Sequence, residues 1–115
     1  MLPNKFRITD KRDFENIQGK GKLSQFESFG IIILRREDKN QSRFAFIVSS
    51  KISKDAVDRN RIKRAIRESI RLSLIDLQTG YDVIFLAKPI LAKKSTELIM
   101  RETGKALKDL GVLKG

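Results

Sequence analysis

One short segment of this 115-residue chain holds four arginines and one lysine within nine residues. An arginine guanidinium binds phosphate through two parallel hydrogen bonds and also stacks on flat bases. A cluster of this kind therefore predicts an anion-binding surface, and nucleic acid is its natural ligand, although the residue types do not separate RNA from DNA. The predicted contact residues are Arg59, Asn60, Arg61, Lys63, Arg64 and Arg67.

Helical periodicity sorts this segment into two faces. At about 100° per residue, Asn60, Arg64, Arg67 and Arg71 fall on one side of a helix, and the isoleucines between them fall on the other. Lys63 lies near the boundary, where its stem packs while its ammonium reaches water. A merely solvated helix is the alternative, but such a helix usually alternates charge signs at i,i+4, and only Glu68 follows the cluster directly.

The overall charge agrees with a polyanionic partner. Lys and Arg total 25 against 14 Asp and Glu, which gives a net charge of +11. A surplus of this size repels itself in the folded state, so an anionic partner is a physical reason for it. Charge alone leaves nucleic acid, an anionic membrane and an acidic protein open. The 40% hydrophobic content suits one folded domain over residues 1–115 rather than a disordered chain.

Several residue types are absent, and each absence narrows the function. Without Cys there is no disulfide and no thiolate metal site. Without His there is no usual acid/base pair of a protein ribonuclease, so we predict no catalytic and no metal-binding residues. The charged opening segment predicts no secretory signal, and the apolar run Ile31 to Leu34 is too short to cross a membrane. A cytoplasmic protein is expected.

The pattern of apolar residues predicts three helices and three strands. Two adjacent β-branched strands with a polar turn between them suggest an antiparallel hairpin, and the last strand is apolar enough to be central. Alternating helices and strands predict an α/β sandwich. The first helix has Thr9 or Asp10 as its cap and runs to about Ile17. The other helices are Lys54 to Leu77, with Ser53 as cap, and Ser95 to Leu110. The strands are Phe29 to Arg36, Arg43 to Ser50, and Tyr81 to Ala87.

A second basic region surrounds the first helix and the end of the second strand. Lys11, Arg12, Lys20 and Lys22 flank the first helix, and Lys51 and Lys54 follow the strand. Phe14 lies among them, and an aromatic ring among cations suits stacking by single-stranded nucleic acid. Packing of Phe14 against Ile17 is the alternative.

The arginine-rich segment resembles the arginine-asparagine-arginine motif of the bacterial ribonuclease P protein subunit. Other short segments match that family in the same order, and together they cover nearly the whole chain. The matching segments are Leu2-Pro3, Arg12-Asp13-Phe14, Gly19-Lys20, Phe46 to Lys51, Arg59 to Arg64 with Arg67-Glu68, Gly80 to Ile84, and Ala87 to Pro89.

The resemblance implies a fold and an activity. The fold is a single-domain α/β sandwich of order αβββαβα with a left-handed β-α-β crossover, also found in a small-subunit ribosomal protein. The activity is removal of the 5′ leader from precursor tRNA, with catalysis by an RNA subunit that uses Mg²⁺. The resemblance also implies that the protein binds no cofactor of its own. The partners are that RNA and the precursor tRNA, with no membrane and no obligate protein partner. By resemblance, Arg12, Phe14, Ser49 and Lys51 line the leader cleft.

Some positions depart from the family pattern. Gln18 and Ile32 stand where the family often has aromatic residues, which implies less stacking with the leader. One extra residue lies between Lys51 and Arg59. Two other functions remain open from the residues alone: a pure RNA-binding module, and a DNA-binding helix-turn-helix. The second is disfavoured because no helix precedes the basic helix to form the pair.

Overall fold

The sheet has four strands and runs through the middle of the molecule. The computed structural model describes residues 2–114. Its strands are β1 (Lys22–Gln25), β2 (Phe29–Arg35), β3 (Arg43–Ile47) and β4 (Tyr81–Ala87), in the spatial order β1-β2-β4-β3. β2 is antiparallel to both β1 and β4, whereas β3 and β4 are parallel.

Three helices pack on this sheet, and each begins at a side chain that caps it. Such a cap satisfies a backbone N–H that has no partner inside the helix. The Asp10 carboxylate accepts from Arg12 N at 2.8 Å, Asp55 from Val57 N at 2.9 Å, and the Ser95 hydroxyl from Leu98 N at 3.1 Å. The helices are α1 (Lys11–Lys20), α2 (Ala56–Leu72) and α3 (Thr96–Asp109), and short 3-10 turns span Asn4–Phe6, Leu74–Asp76 and Pro89–Lys93.

The α/β class predicted from the residue pattern is confirmed, and so is the element order αβββαβα that the resemblance implies. The central position of β4 is confirmed as well, because it pairs with β2 on one side and β3 on the other. The predicted hairpin of β2 with β3 is wrong. β4 lies between these two strands, and since β4 is almost wholly apolar, insertion buries it on both edges.

Helix α2 differs from its prediction at both ends. It begins at Ala56 with Asp55 as cap, and the Ser53 hydroxyl instead accepts from Asp55 N at 3.2 Å. It ends at Leu72, and Leu77 forms an isolated bridge with Leu113. The other two helices match more closely. α1 runs three residues further than the predicted end at Ile17, and α3 begins at Thr96, one residue after its predicted start at Ser95.

The two faces of the sheet carry separate hydrophobic clusters. α2 and α3 cover one face, where Ile62, Ile66 and Ile70 of α2 are fully buried against Phe44 and Phe85. The other face carries a smaller cluster around Ile17 of α1, with Ile32 and Ile84 beneath it. α2 therefore connects the parallel neighbours β3 and β4 across the larger core. The left hand of this crossover stays a prediction.

Candidate nucleic-acid interface

A groove with a volume of about 840 Å³ runs along the outer side of α2 towards the start of α3. Four of the six residues predicted to contact nucleic acid line it: Asn60, Arg61, Arg64 and Arg67. Arg59 and Lys63 lie outside its lining. The remaining lining residues are Leu2, Val57, Ala65, Glu68, Thr96 and Met100.

Asn60 and Arg64 are the most available polar groups of this groove. Both are exposed, and they stand one helical turn apart on the same face of α2. Within residues 2–114 neither side chain makes a hydrogen bond. Their donors therefore point at solvent and are ready for a ligand.

Two other arginines are held by backbone carbonyl groups. Arg61 Nη1 donates to Lys94 O at 3.0 Å, with Thr96 Oγ1 at 3.4 Å, so it ties α2 to the start of α3. Arg59 Nη1 donates to Ser53 O at 2.7 Å and so holds the loop before α2. Because a guanidinium carries five N–H donors, each keeps donors for a ligand while its position is fixed.

Arg67 packs inward across an aromatic ring. Its guanidinium lies 5.8 Å from the centroid of the Phe46 ring, and Phe46 stacks on Phe85 with centroids 5.9 Å apart. Its Nε is buried and has no hydrogen-bond partner among residues 2–114. Burial lowers the pKa of Arg67, and the positive charges of Arg7 and Arg64 lower it further. Arg67 is thus a desolvated cation at the edge of the groove, a costly arrangement that an anionic ligand would relieve.

Arg71 is already paired, although the helical spacing places it beside Arg64 and Arg67. Its Nε donates to both carboxylate oxygens of Glu68, each at 3.0 Å. These hydrogen bonds lower the pKa of Glu68 and raise that of Arg71. The pair neutralises the charge at one end of the predicted basic face. The part of that face with uncompensated positive charge therefore extends only from Asn60 to Arg67.

Two of the residues predicted for the leader cleft, Arg12 and Phe14, lie on α1, which packs on the opposite face of the sheet. Phe14 of α1 is half-buried and packs against the small cluster that also receives Ile47 of β3. Ser49 and Lys51 follow Ile47 within four residues and are exposed, as is Arg12 on α1. The ring of Phe14 thus packs partly into the cluster and remains partly accessible, and its contact with a leader stays a prediction.

An ion-pair network that the motif analysis missed fixes α1 against the sheet. Arg43 at the start of β3 donates from Nη1 to Asp13 of α1 at 2.8 Å, and from Nη2 to Asp82 of β4 at 2.9 Å. Asp82 is 2% exposed and also accepts from Arg36. A lone acidic residue in an apolar strand was the signal, since a buried charge needs a partner. The network holds α1, and with it Phe14 and Arg12.

Among residues 2–114, no three His, Cys, Asp or Glu side chains come together in a way that suits a metal ion. The helices in this part of the chain are all too short or too polar to cross a membrane.

The fold and this surface define a small, basic α/β protein with a cationic groove on one face of its sheet and a half-open aromatic cluster on the other. The family model for ribonuclease P matches residues 2–111. The chain belongs to the ribonuclease P protein family.

Individual relatives agree. The ribonuclease P protein component of Marinomonas is 36% identical over 76% of this chain and 65% of its own length. That of Synechocystis is 30% identical over 97% of this chain and 90% of its own length. The solved structure of the Staphylococcus aureus RNase P protein superposes with a TM-score of 0.86 at 28% identity, covering 95% of this chain and 98% of that one. The protein is an accessory subunit of the tRNA 5′-processing endonuclease, and it works with an RNA subunit.

Proposed function

We propose that the groove face of α2 docks on the catalytic RNA of ribonuclease P, while the sheet face beside α1 holds the 5′ leader of precursor tRNA. The observation that carries this proposal is the run from Asn60 to Arg67, which lines one groove. Arg61 has a distant acidic partner, Asp58, 4.0 Å from its Nε, whereas Arg64 and Arg67 form no ion pair among residues 2–114. Such a surface gains from contact with phosphates and from release of their counterions.

The two surfaces divide the work. The α2 groove and the Phe14 cluster belong to opposite faces of one sheet, so the protein can hold two RNA segments at once. Phe14 would stack on a leader base, and Arg12 and Lys51 would reach its phosphates. Ser49 adds a hydroxyl that both donates and accepts hydrogen bonds.

Catalysis belongs to the RNA subunit in this proposal. The RNA uses Mg²⁺ for the hydrolysis, and the protein contributes binding and orientation of the precursor. Orientation of reactants lowers the barrier without a protein side chain taking part in the chemistry. We propose that the complex works in the cytoplasm and requires no further protein.

Cleavage of precursor tRNA tests the whole proposal. The protein alone should leave the precursor intact, and it should accelerate the RNase P RNA of its own organism at low Mg²⁺ concentration. No acceleration with that RNA would overturn the proposal. A truncated precursor without a leader is the matched control, because it should bind no better when the protein is present.

Binding to the RNA gives an independent test of the docking face. If about six basic residues meet phosphates, log affinity should fall against log salt with a slope of about −4 to −5. Replacing Arg64 and Arg67 together with Ala should weaken this binding and make the slope shallower. A flat salt response would contradict docking through phosphates.

A further inference from the structure

The floor of the α2 groove differs chemically from its rim. Leu2 and Ala65 form part of the lining and are nearly fully buried, and Met100 of α3 is half-buried beside them. Val57 completes the apolar side, although 69% of it is exposed. A phosphate gains nothing from such a floor, since it needs donors and cations. The floor is therefore complementary to a ligand group that has an apolar surface of its own.

We infer that this groove takes one unstacked base of the partner RNA, an inference that rests on the docking face proposed above. A base has two apolar faces and a polar edge, which matches an apolar floor beneath a polar rim. Proteins that recognise RNA sequence mostly bind such splayed-out bases rather than paired ones. The groove volume of about 840 Å³ lies within the range of roughly 300–1,000 Å³ common for ligand sites.

Each rim residue has a role in this arrangement. The Asn60 amide carries both a donor and an acceptor, so it can form two hydrogen bonds to the edge of a base, as amides do with adenine. Arg64 is exposed and reaches a flanking phosphate. Arg61 is already held by Lys94 O and Thr96. Its side chain therefore loses little further conformational entropy when the RNA binds. The base site is largely preformed.

The charge of the rim selects RNA over a protein segment. Three arginines border the apolar floor, and Glu68 is the acidic residue among the lining side chains. That carboxylate is already hydrogen bonded to Arg71. The net field of the groove is therefore positive, and an RNA strand complements it along its whole length.

Serine substitutions on the apolar side separate base binding from phosphate binding. Val57→Ser and Met100→Ser should each weaken binding to the RNase P RNA roughly tenfold, the effect of losing one base contact. Neither removes a charge, so the salt slope should stay the same. Arg64→Ala should instead make the slope shallower by about one. Leu72→Ser is the matched control, because Leu72 is an exposed apolar residue of α2 outside the groove lining, and it should leave affinity unchanged.

The outcomes are distinct. If both serine variants bind within twofold of the parent while Arg64→Ala binds weakly, the groove binds phosphates alone and the base site is wrong. If Arg64→Ala also binds normally, the docking face itself is wrong. Should Met100→Ser lower the melting temperature, Val57→Ser decides the question, since its side chain is mostly exposed.

A cross-linking experiment locates the base directly. The chain has no cysteine, so Val57→Cys supplies the sole thiol for a photoreactive azidophenacyl group. In the complex with RNase P RNA, the cross-link should map to one unpaired nucleotide. Cross-links confined to paired stretches, or scattered along the RNA, would overturn the inference.

Discussion

Arg43 and Asp82 form a two-point ion pair, with Arg43 Nε and Nη2 at 3.0 and 2.9 Å from the two carboxylate oxygens of Asp82. The hydrogen bonds from this pair raise the pKa of Arg43 above its usual value. Asp82 also accepts from Arg36, and Arg43 reaches on to Asp13 of α1. One buried carboxylate thus joins β3, β4 and the segment after β2, and indirectly holds α1.

Asp82→Asn should lower the free energy of unfolding by about 3 kcal/mol, because it leaves two arginines without their buried counter-charge. Urea denaturation measures this change. Asp38→Asn is the control, since Asp38 also contacts Arg36 but is exposed, and it should shift the urea midpoint far less. Equal shifts for the two variants would show that burial of Asp82 adds nothing to the pair.

The Arg67 side chain should lower the stability of the fold while it strengthens binding of the RNA. Its Nε is buried and finds no partner in the described part of the chain, residues 2–114. Arg67→Met keeps the stem and removes that group, so it should raise the free energy of unfolding by about 1 kcal/mol even after loss of the contact with Phe46. The same variant should bind RNase P RNA more weakly. Thermal melting and a binding titration measure the two effects.

Arg64→Met is the matched control for this conflict, because Arg64 is exposed on the same helix. It should weaken binding without stabilising the fold. A loss of stability in Arg67→Met would mean that packing over Phe46 outweighs the desolvation of the guanidinium.

Arg64 and Arg71 should contribute unequally to RNA binding, although both belong to the face predicted from helical spacing. Arg64→Ala should weaken binding roughly tenfold, the effect of losing a hydrogen bond to a charged group. Arg71→Ala should have a smaller effect, because Glu68 already neutralises Arg71. Filter binding at several salt concentrations measures both. A stronger effect at Arg71 would mean that the pair opens when RNA binds.

Sequence patterns predicted some properties of the strands correctly and others not. β4 was predicted as central because a run of apolar residues from Val83 to Leu86 needs burial on both sides. The pairing of β2 and β3 was predicted wrongly, since closeness along the chain does not decide pairing when a more apolar strand competes for the same edges. The edge strand Lys22–Gln25 was not found from its own residues, because it is short and mostly polar and exposed.

In the candidate site, too, local spacing predicted some features, whereas contacts between distant segments were not predicted. A period of 3.6 residues was enough to place Asn60, Arg64 and Arg67 on one face of α2. The period could not show the contact of Arg61, whose guanidinium is fixed by Lys94 O, 33 residues further along the chain. The apolar floor of the groove was also out of reach, because Leu2 and Met100 come from distant segments that only the fold brings to α2.

Phe14 tests the proposed leader cleft, because its ring is half-buried: it packs against the cluster around Ile17 and keeps part of its surface accessible to a leader base. Phe14→Leu keeps most of the apolar contact with the cluster around Ile17 but removes the ring. It should weaken binding of precursor tRNA to the assembled complex by about 1–2 kcal/mol, the worth of one stacked base. Binding of mature tRNA should not change, since it has no leader. Equal losses for precursor and mature tRNA would place the effect on the fold of the protein rather than on the leader. Gln18→Phe is the complementary variant, because it adds an exposed ring on α1 at a position where the resemblance implies an aromatic residue. It should strengthen precursor binding if the ring reaches the leader.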